Sequence, residues 1–253
     1  MKGFEARMRC MLLSLLLACA PATRLPPQAA QPAPAAAPSA AEVRLRNDWA
    51  WLARYRDDNA RLGPPAPGVR RVVFMGNSIT EAFAPLFATL FPGKPYVGRG
   101  ISGQTSPQML VRFRQDVVAL QPAAVVIMAG VNDIAGNTGP SSLEMIEDNI
   151  ASMAELARAH GIRVVLASVH PAYDFPWKPG LEPAPMIVTL IAWIQRYAAA
   201  HGAVYLDYHS AMADERQGLR RELSGDGVHP NEAGYRIMAP LAESAIAEAL
   251  RGP

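Results

Sequence analysis

Past position 19 the chain has no cysteine: Cys10 and Cys19 are its only two among 253 residues. A domain folded from the rest holds no disulfide, so its stability must come from its core. Excess charge is also missing. The net charge of +2 sits in the first residues, where Lys2, Arg7 and Arg9 face only Glu5, and the remainder is balanced. Nucleic acid, which needs a basic face, is not an expected partner. The apolar run Met11–Ala18, "MLLSLLLA", is too short to cross a bilayer, which takes about 20 residues. Elsewhere no stretch reaches that length without charge, so no transmembrane helix is predicted beyond this leader. Nor does any His, Cys, Asp and Glu spacing resemble a zinc site, and no metal is expected.

What is present begins with a leader. Basic residues followed by a short apolar run have the form of a secretory signal. "LLAC" (16–19) resembles a bacterial lipobox, with Cys19 as the lipidated first residue of the mature chain. "ACA" (18–20) fits a plain secretory cut, but would leave Pro21 first. The lipobox reading is preferred: residues 1–19 form the signal-peptide segment up to and including the lipidated cysteine, and the protein is expected to be exported as a periplasmic or cell-envelope lipoprotein. It would touch the membrane only through that anchor. Residues 20–41 are rich in Ala and Pro with almost no charge, as in a disordered tether. Residues 42–253 are then one domain, long enough for a full core.

Strand and helix patterns alternate along that domain. Residues 42–63 read as one helix, with Leu45, Trp49, Leu52 and Tyr55 on one face and Gly63 as its stop. Buried strands are predicted at 70–75 ("RRVVFM"), 94–99, 123–130 ("AAVVIMAG"), 163–169 ("RVVLASV") and 203–208. Helices are expected at 106–120 with Ser106 as N-cap, at 141–161 with a Ser141–Glu144 capping box, at 185–202, and at 231–250, where Pro240 should kink or end the element. Alternation of this kind implies an α/β fold: a parallel sheet of about five strands with helices on both faces. Ligands in such sheets sit beyond the carboxyl ends of the strands.

Five loops fall on that edge: "GNSITE" (76–81), "GRGISGQTS" (98–106), "GVNDIAGN" (130–137), "HPAYDFPWKPG" (170–180) and, before the last helix, "DGVHP" (226–230). They contain the parts of a nucleophilic site. A serine hydroxyl attacks only when a base takes its proton, and His229 can do so for Ser78. Asp226 can hold the imidazole tautomer. Ser78 N–H, Gly100 N–H and the Asn132 amide can face an oxyanion.

These blocks resemble the SGNH, or GDSL-type, hydrolase family: "GNSIT", Gly100, "GVND" and "DGVHP", in order over residues 70–250. The resemblance implies a three-layer flavodoxin-like sandwich and ester hydrolysis through a triad of Ser78, His229 and Asp226. It implies an oxyanion hole of Ser78, Gly100 and Asn132, and no cofactor. One residue departs from the pattern: Asn77 stands where the family has Asp before its serine. Thr80 also breaks the Gly-x-Ser-x-Gly elbow of α/β-hydrolases.

The remaining candidates are weaker. His160 and His201 each precede a glycine at a helix end and read as structural, as does Asp133. His170, Tyr173 and Trp177 lie in the fourth loop and are possible substrate contacts. Its aromatics would stack on a sugar ring or grip an acyl chain; equally, they would pin the loop to the core. The expected activity is hydrolysis of short acyl esters, in particular O-acetyl groups on a carbohydrate. The alternatives are a lysophospholipase or thioesterase for longer chains, an acyltransferase using the same acyl-enzyme, and a non-catalytic binding module.

Overall fold

Each of the five predicted strand segments forms a strand. In the computed structural model, which describes residues 37–251, they are β1 (Val72–Gly76), β2 (Tyr96–Gly100), β3 (Ala124–Ile127), β4 (Arg163–Ala167) and β5 (Val204–Leu206). Of these, β1 and β3 are buried throughout and the edge strands β2 and β5 only partly buried. All pairings are parallel and the order is β2-β1-β3-β4-β5. The chain thus leaves β1 toward one edge and returns to its other side for β3. That reversal opens a crevice beyond the carboxyl ends of β1 and β3.

The helices are α1 (Ala40–Asn47), α2 (Arg56–Leu62), α3 (Ser78–Phe83), α4 (Phe87–Leu90), α5 (Ser106–Asp116), α6 (Val131–Ile134), α7 (Leu143–Ala159), α8 (Ala184–Ala200), α9 (His209–Met212) and α10 (Glu232–Arg251). Side chains alternate across the strands and so feed two cores. Val73, Met75, Val125 and Ile127 meet Phe113 of α5, Ile146 and Met153 of α7, and Leu190 of α8. On the other face Val72, Phe74, Val126 and Val165 meet Phe83 of α3 and Met238 and Ala242 of α10. This is the three-layer arrangement expected.

Three local expectations are corrected. Residues 42–63 are two helices, not one. The Asp48 carboxylate accepts the N–H groups of Leu52 (2.7 Å) and Ala53 (2.9 Å), and Trp51 adopts φ +53°. A short acid that bonds the backbone ahead of it favours a turn over a continuing helix. The presumed apolar face is split: Tyr55 is buried, while Leu45 and Trp49 stay exposed. Second, the cap of α5 is Thr105, paired with Gln108, and Ser106 is the first helical residue. Third, Ser142 rather than Ser141 caps α7, accepting from Met145 N–H. Helix α1 also starts inside the segment read as tether, at Ala40 with Ser39 as its cap. The proposed leader and lipidation at Cys19, with the tether up to residue 36, lie outside the described residues. Pro240 sits inside α10, which continues to Arg251. His160 and His201 close α7 and α8, each before a glycine at positive φ.

One buried side chain ties the carboxyl ends of β1 and β2 together. Arg112 of α5 is fully buried and donates to Gly76 O (2.9 Å), Arg99 O (2.9 Å), Gln104 Oε1 (2.5 Å) and Asp116 Oδ2 (3.0 Å). Arg112→Met would leave the buried Asp116 carboxylate without its cation, with only the Asn59 and Gln115 amides donating to it. The expected loss is about 3–5 kcal/mol, read from urea denaturation of both proteins. A change below about 1 kcal/mol would contradict the clamp.

Candidate active site

Ser78 is the first residue of α3, directly beyond β1. Asn77 caps that helix, its Oδ1 accepting Ile79 N–H at 3.3 Å. The amide oxygen supplies the cap bond that an Asp carboxylate could also make. Ser78 N–H, at the helix start, is one of the donors a helix leaves without an internal partner.

The loop before α10 lies over Ser78. Tyr235 of α10 donates its hydroxyl to Ile79 O at 2.9 Å and stacks on Phe83, ring centres 4.9 Å apart. This docks the start of α10 onto α3, next to the serine. Ser78 Oγ is 2.9 Å from His229 Nε2, and His229 Nδ1 is 2.7 Å from Asp226 Oδ2. The other oxygen, Asp226 Oδ1, accepts the N–H groups of His229 (2.8 Å) and Val228 (2.9 Å). Burial pushes the Asp226 carboxyl upward, but the bonds from the His229 backbone and ring and from Val228 outweigh it and hold it below the carboxylate range. An ionised Asp226 fixes the proton on Nδ1 and leaves Nε2 free to accept from Ser78. Residues distant in sequence thus form a hydrogen-bonded chain that is partly open to solvent: the His229 and Asp226 side chains are 38% and 42% exposed.

Ser224 was not singled out in the sequence. Its Oγ accepts Gly227 N–H (2.9 Å) and Asp226 N–H (3.3 Å) and lies 2.8 Å from His229 O. It braces the Asp–His turn from below. Only its place two residues before Asp226 hinted at this.

Asn132 heads α6 beyond β3 and is buried. Its Nδ2 donates to Gln104 O at 2.9 Å, which leaves its second amide proton free. Asp133 accepts Ser106 N–H and Oγ–H and so anchors the start of α5, a structural role as expected.

Gly100 does not stand open to a ligand. A Cβ there would lie 2.1 Å from Glu81 N and 2.6 Å from Asn77 O, so its missing side chain lets α3 seat on β2. Backbone groups alternate in direction along a parallel ladder. Ile101 N–H donates to Gly76 O, so Gly100 points away from β1, toward Tyr55, whose hydroxyl donates to Gly100 O. Gly103 is better placed. It occupies the turn after β2 at φ +77°, with nothing near a would-be Cβ. Its neighbours use their N–H groups: Ser102 on Glu81, Gln104 on Ile101 O. The spacing of "GRGISG" alone could not tell the packing glycine from the turn glycine.

The fourth loop divides the three possible contacts. His170 is 1% exposed and packs 5.5 Å from the Tyr208 ring. Burial first, then His209 and His229, push its pKa down to about 3, so it is neutral. It is no surface contact for a substrate. Position in a loop marks the sheet edge, not whether a side chain turns back inside. Phe175 is buried and pins the loop, and Trp177 stacks on it at 5.0 Å. Trp177 remains 45% exposed, its ring 6.1 Å from that of His229. Tyr173 is also exposed, with the Arg216 guanidinium 3.5 Å above its ring.

A serine, an imidazole and a carboxylate in hydrogen-bonded sequence at the edge of a doubly wound sheet define the serine-hydrolase class of site. The GDSL-like lipase/acylhydrolase family model matches residues 70–237, and the chain belongs to that family. It is 46% identical to a GDSL-like lipase of Bacteroides thetaiotaomicron, whose crystal structure superposes with a TM-score of 0.77 over 80% of this chain and 100% of that one. It is 27% identical to an acetylxylan esterase of Xylanibacter ruminicola over 72% of this chain and 44% of that protein. It is 30% identical to the esterase TesA of Pseudomonas aeruginosa, over 53% of this chain and 60% of the relative. The chain thus spans about half the length of these curated relatives.

The Asp226 geometry has a consequence for stability. Its folded-state pKa lies below the unfolded value of 3.8, so its contribution is present above pH 3.8 and lost as the pH falls through the folded value. Wild type should exceed Asp226→Asn in melting temperature at pH 7, with the gap closing toward pH 2. A gap independent of pH would contradict an ionised, hydrogen-bonded Asp226.

Proposed function

We propose that the protein is a serine ester hydrolase acting on short acyl esters, with O-acetyl groups on a carbohydrate as its substrate class. The carrying observation is the unbroken chain from Ser78 Oγ through His229 to Asp226. His229 Nε2 takes the hydroxyl proton as Ser78 attacks the ester carbonyl. The oxyanion then faces Ser78 N–H, the free Asn132 amide proton and, in place of Gly100, Gly103 N–H. Collapse breaks the bond to the alkoxide, which leaves with the proton held by His229. Water, deprotonated by the same imidazole, then attacks the acyl-serine. The acid departs, and Ser78 recovers its proton.

The leaving alcohol must lie beside His229, and Trp177 is the exposed apolar surface there. An indole braced from behind by a buried ring offers a flat face for a sugar. The partial exposure of His229 and Asp226 suits an acyl group on a large substrate. A relative named as an acetylxylan esterase agrees with that reading. An exported, lipid-anchored location would bring such an enzyme to envelope or extracellular glycans.

The test is hydrolysis of p-nitrophenyl esters from acetyl to decanoyl by wild type and Ser78→Ala. Acetyl should be fastest, and the variant should lose at least about 10³-fold in kcat. Equal rates in the two proteins would remove Ser78 from the mechanism. A maximum at decanoyl would replace the short-acyl reading with a lipid one.

A further inference from the structure

The loop that presents Trp177 continues into a second recess. Tyr173, Pro185 and Val188 line a groove of about 450 Å³, with Glu182, Arg216 and Gln217 at its polar side. Tyr173 and Val188 are 41% and 43% exposed, although both are large and apolar. Contiguous exposed apolar surface rimmed by polar groups is a mark of ligand contact.

The rim is built rather than incidental. The Asp214 carboxylate accepts the N–H groups of Arg216 and Gly218, each at 2.9 Å, and Asp214 N–H donates to Gly218 O at 2.8 Å. This locks the turn that holds Arg216 above Tyr173. On the facing side the Asp174 carboxylate accepts Phe175 N–H and Gly180 N–H, which fixes the loop between them. Glu182 and Gln217 both keep left-handed backbones, at φ +50° and +61°. Non-glycine residues held in that region collect at ligand clamps.

Position selects the occupant. The groups facing the oxyanion follow β1, β2 and β3, whereas this groove is reached from the loop after β4. Tyr173 is four residues from Trp177, so their backbones are at most about 14 Å apart. The groove thus borders the β4 loop that carries Trp177, the side on which the leaving alcohol is proposed to lie, and not the loops after β1, β2 and β3. We infer that it is a distal subsite for a further sugar unit of an acylated oligosaccharide. The ring's apolar face lies on Val188 and Pro185, and its hydroxyls meet Arg216, Glu182 and Gln217. This rests on the carbohydrate-ester reading above.

The test compares kcat/KM on mono-acetylated xylose, acetylated xylotriose, p-nitrophenyl acetate and p-nitrophenyl decanoate for wild type, Tyr173→Ala and Arg216→Ala. Both residues are at the surface, and a melting temperature near wild type verifies folding. Wild type should prefer the trisaccharide ester over the monosaccharide ester. Each substitution should reduce that preference roughly tenfold, through KM. Equal wild-type rates on the two sugar esters would overturn the subsite, as would an unchanged preference in both variants. A loss instead in the ratio of p-nitrophenyl decanoate to acetate would make it an acyl groove and overturn the sugar. No wild-type activity on any acetyl ester would refute the acetyl-esterase reading itself, a separate failure.

Discussion

The buried Arg112 clamp is the constraint on which the site geometry depends. Its guanidinium is fully buried on α5 and reaches Gly76 O, two residues before Ser78, Arg99 O on β2, and Gln104 directly after Gly103. The same Gln104 accepts Asn132 Nδ2 through its carbonyl. One planar cation thus relates the ends of β1 and β2 to the turn and, through Gln104, to the loop after β3. A guanidinium can do this because its donors form a rigid fork, whereas an ammonium offers a single point of charge. Asp116 neutralises it, so the core holds a matched pair rather than a lone charge.

From that clamp the division of labour follows. The β1, β2 and β3 loops carry the nucleophile and the groups proposed to face an oxyanion. Their backbones are fixed by buried bonds: Arg112 on one side and Asp133 on Ser106 on the other. The β4 loop and the turn before α10 carry the imidazole and the exposed aromatics. These are held by carboxylates bonded to nearby N–H groups, Asp174 in one and Asp226 in the other. Of the groups proposed to face a developing charge, Asn132 is buried, Ser78 is half-buried and Gly103 is exposed at its turn. Groups that meet the rest of the substrate sit on the open rim. Tyr235 joins the two halves by docking α10 on α3.

Much of the fold was legible because it rests on periodicity and sheet rules. The apolar, β-branched runs at 70–75, 123–130 and 163–169, with weaker segments at 94–99 and 203–208, became five parallel strands, and the edge rule then gathered Ser78, Asn132, Asp226 and His229. What was not legible depended on direction. The glycine pattern of residues 98–103 fits two roles, and only the ladder shows that Gly100 faces Tyr55 while Gly103 lies in the turn. His170 follows a strand like the other site residues, yet its ring turns inward against Tyr208. Asp48 broke an otherwise good helical stripe by bonding forward to Leu52 and Ala53, a local competition that apolar spacing does not register. Nothing in the sequence marked Arg112, because the carbonyls it joins, Gly76 O and Arg99 O, are brought to it only by the folded sheet.

The central claim is that Ser78 is the nucleophile activated by His229. Reaction with diisopropyl fluorophosphate, followed by mass spectrometry of the digested protein, tests it without any assumption about the substrate. The account predicts one phosphoryl adduct, on the peptide containing Ser78, formed far more slowly in His229→Ala. An adduct on another residue, or labelling of Ser78 at an unchanged rate in that variant, would contradict it.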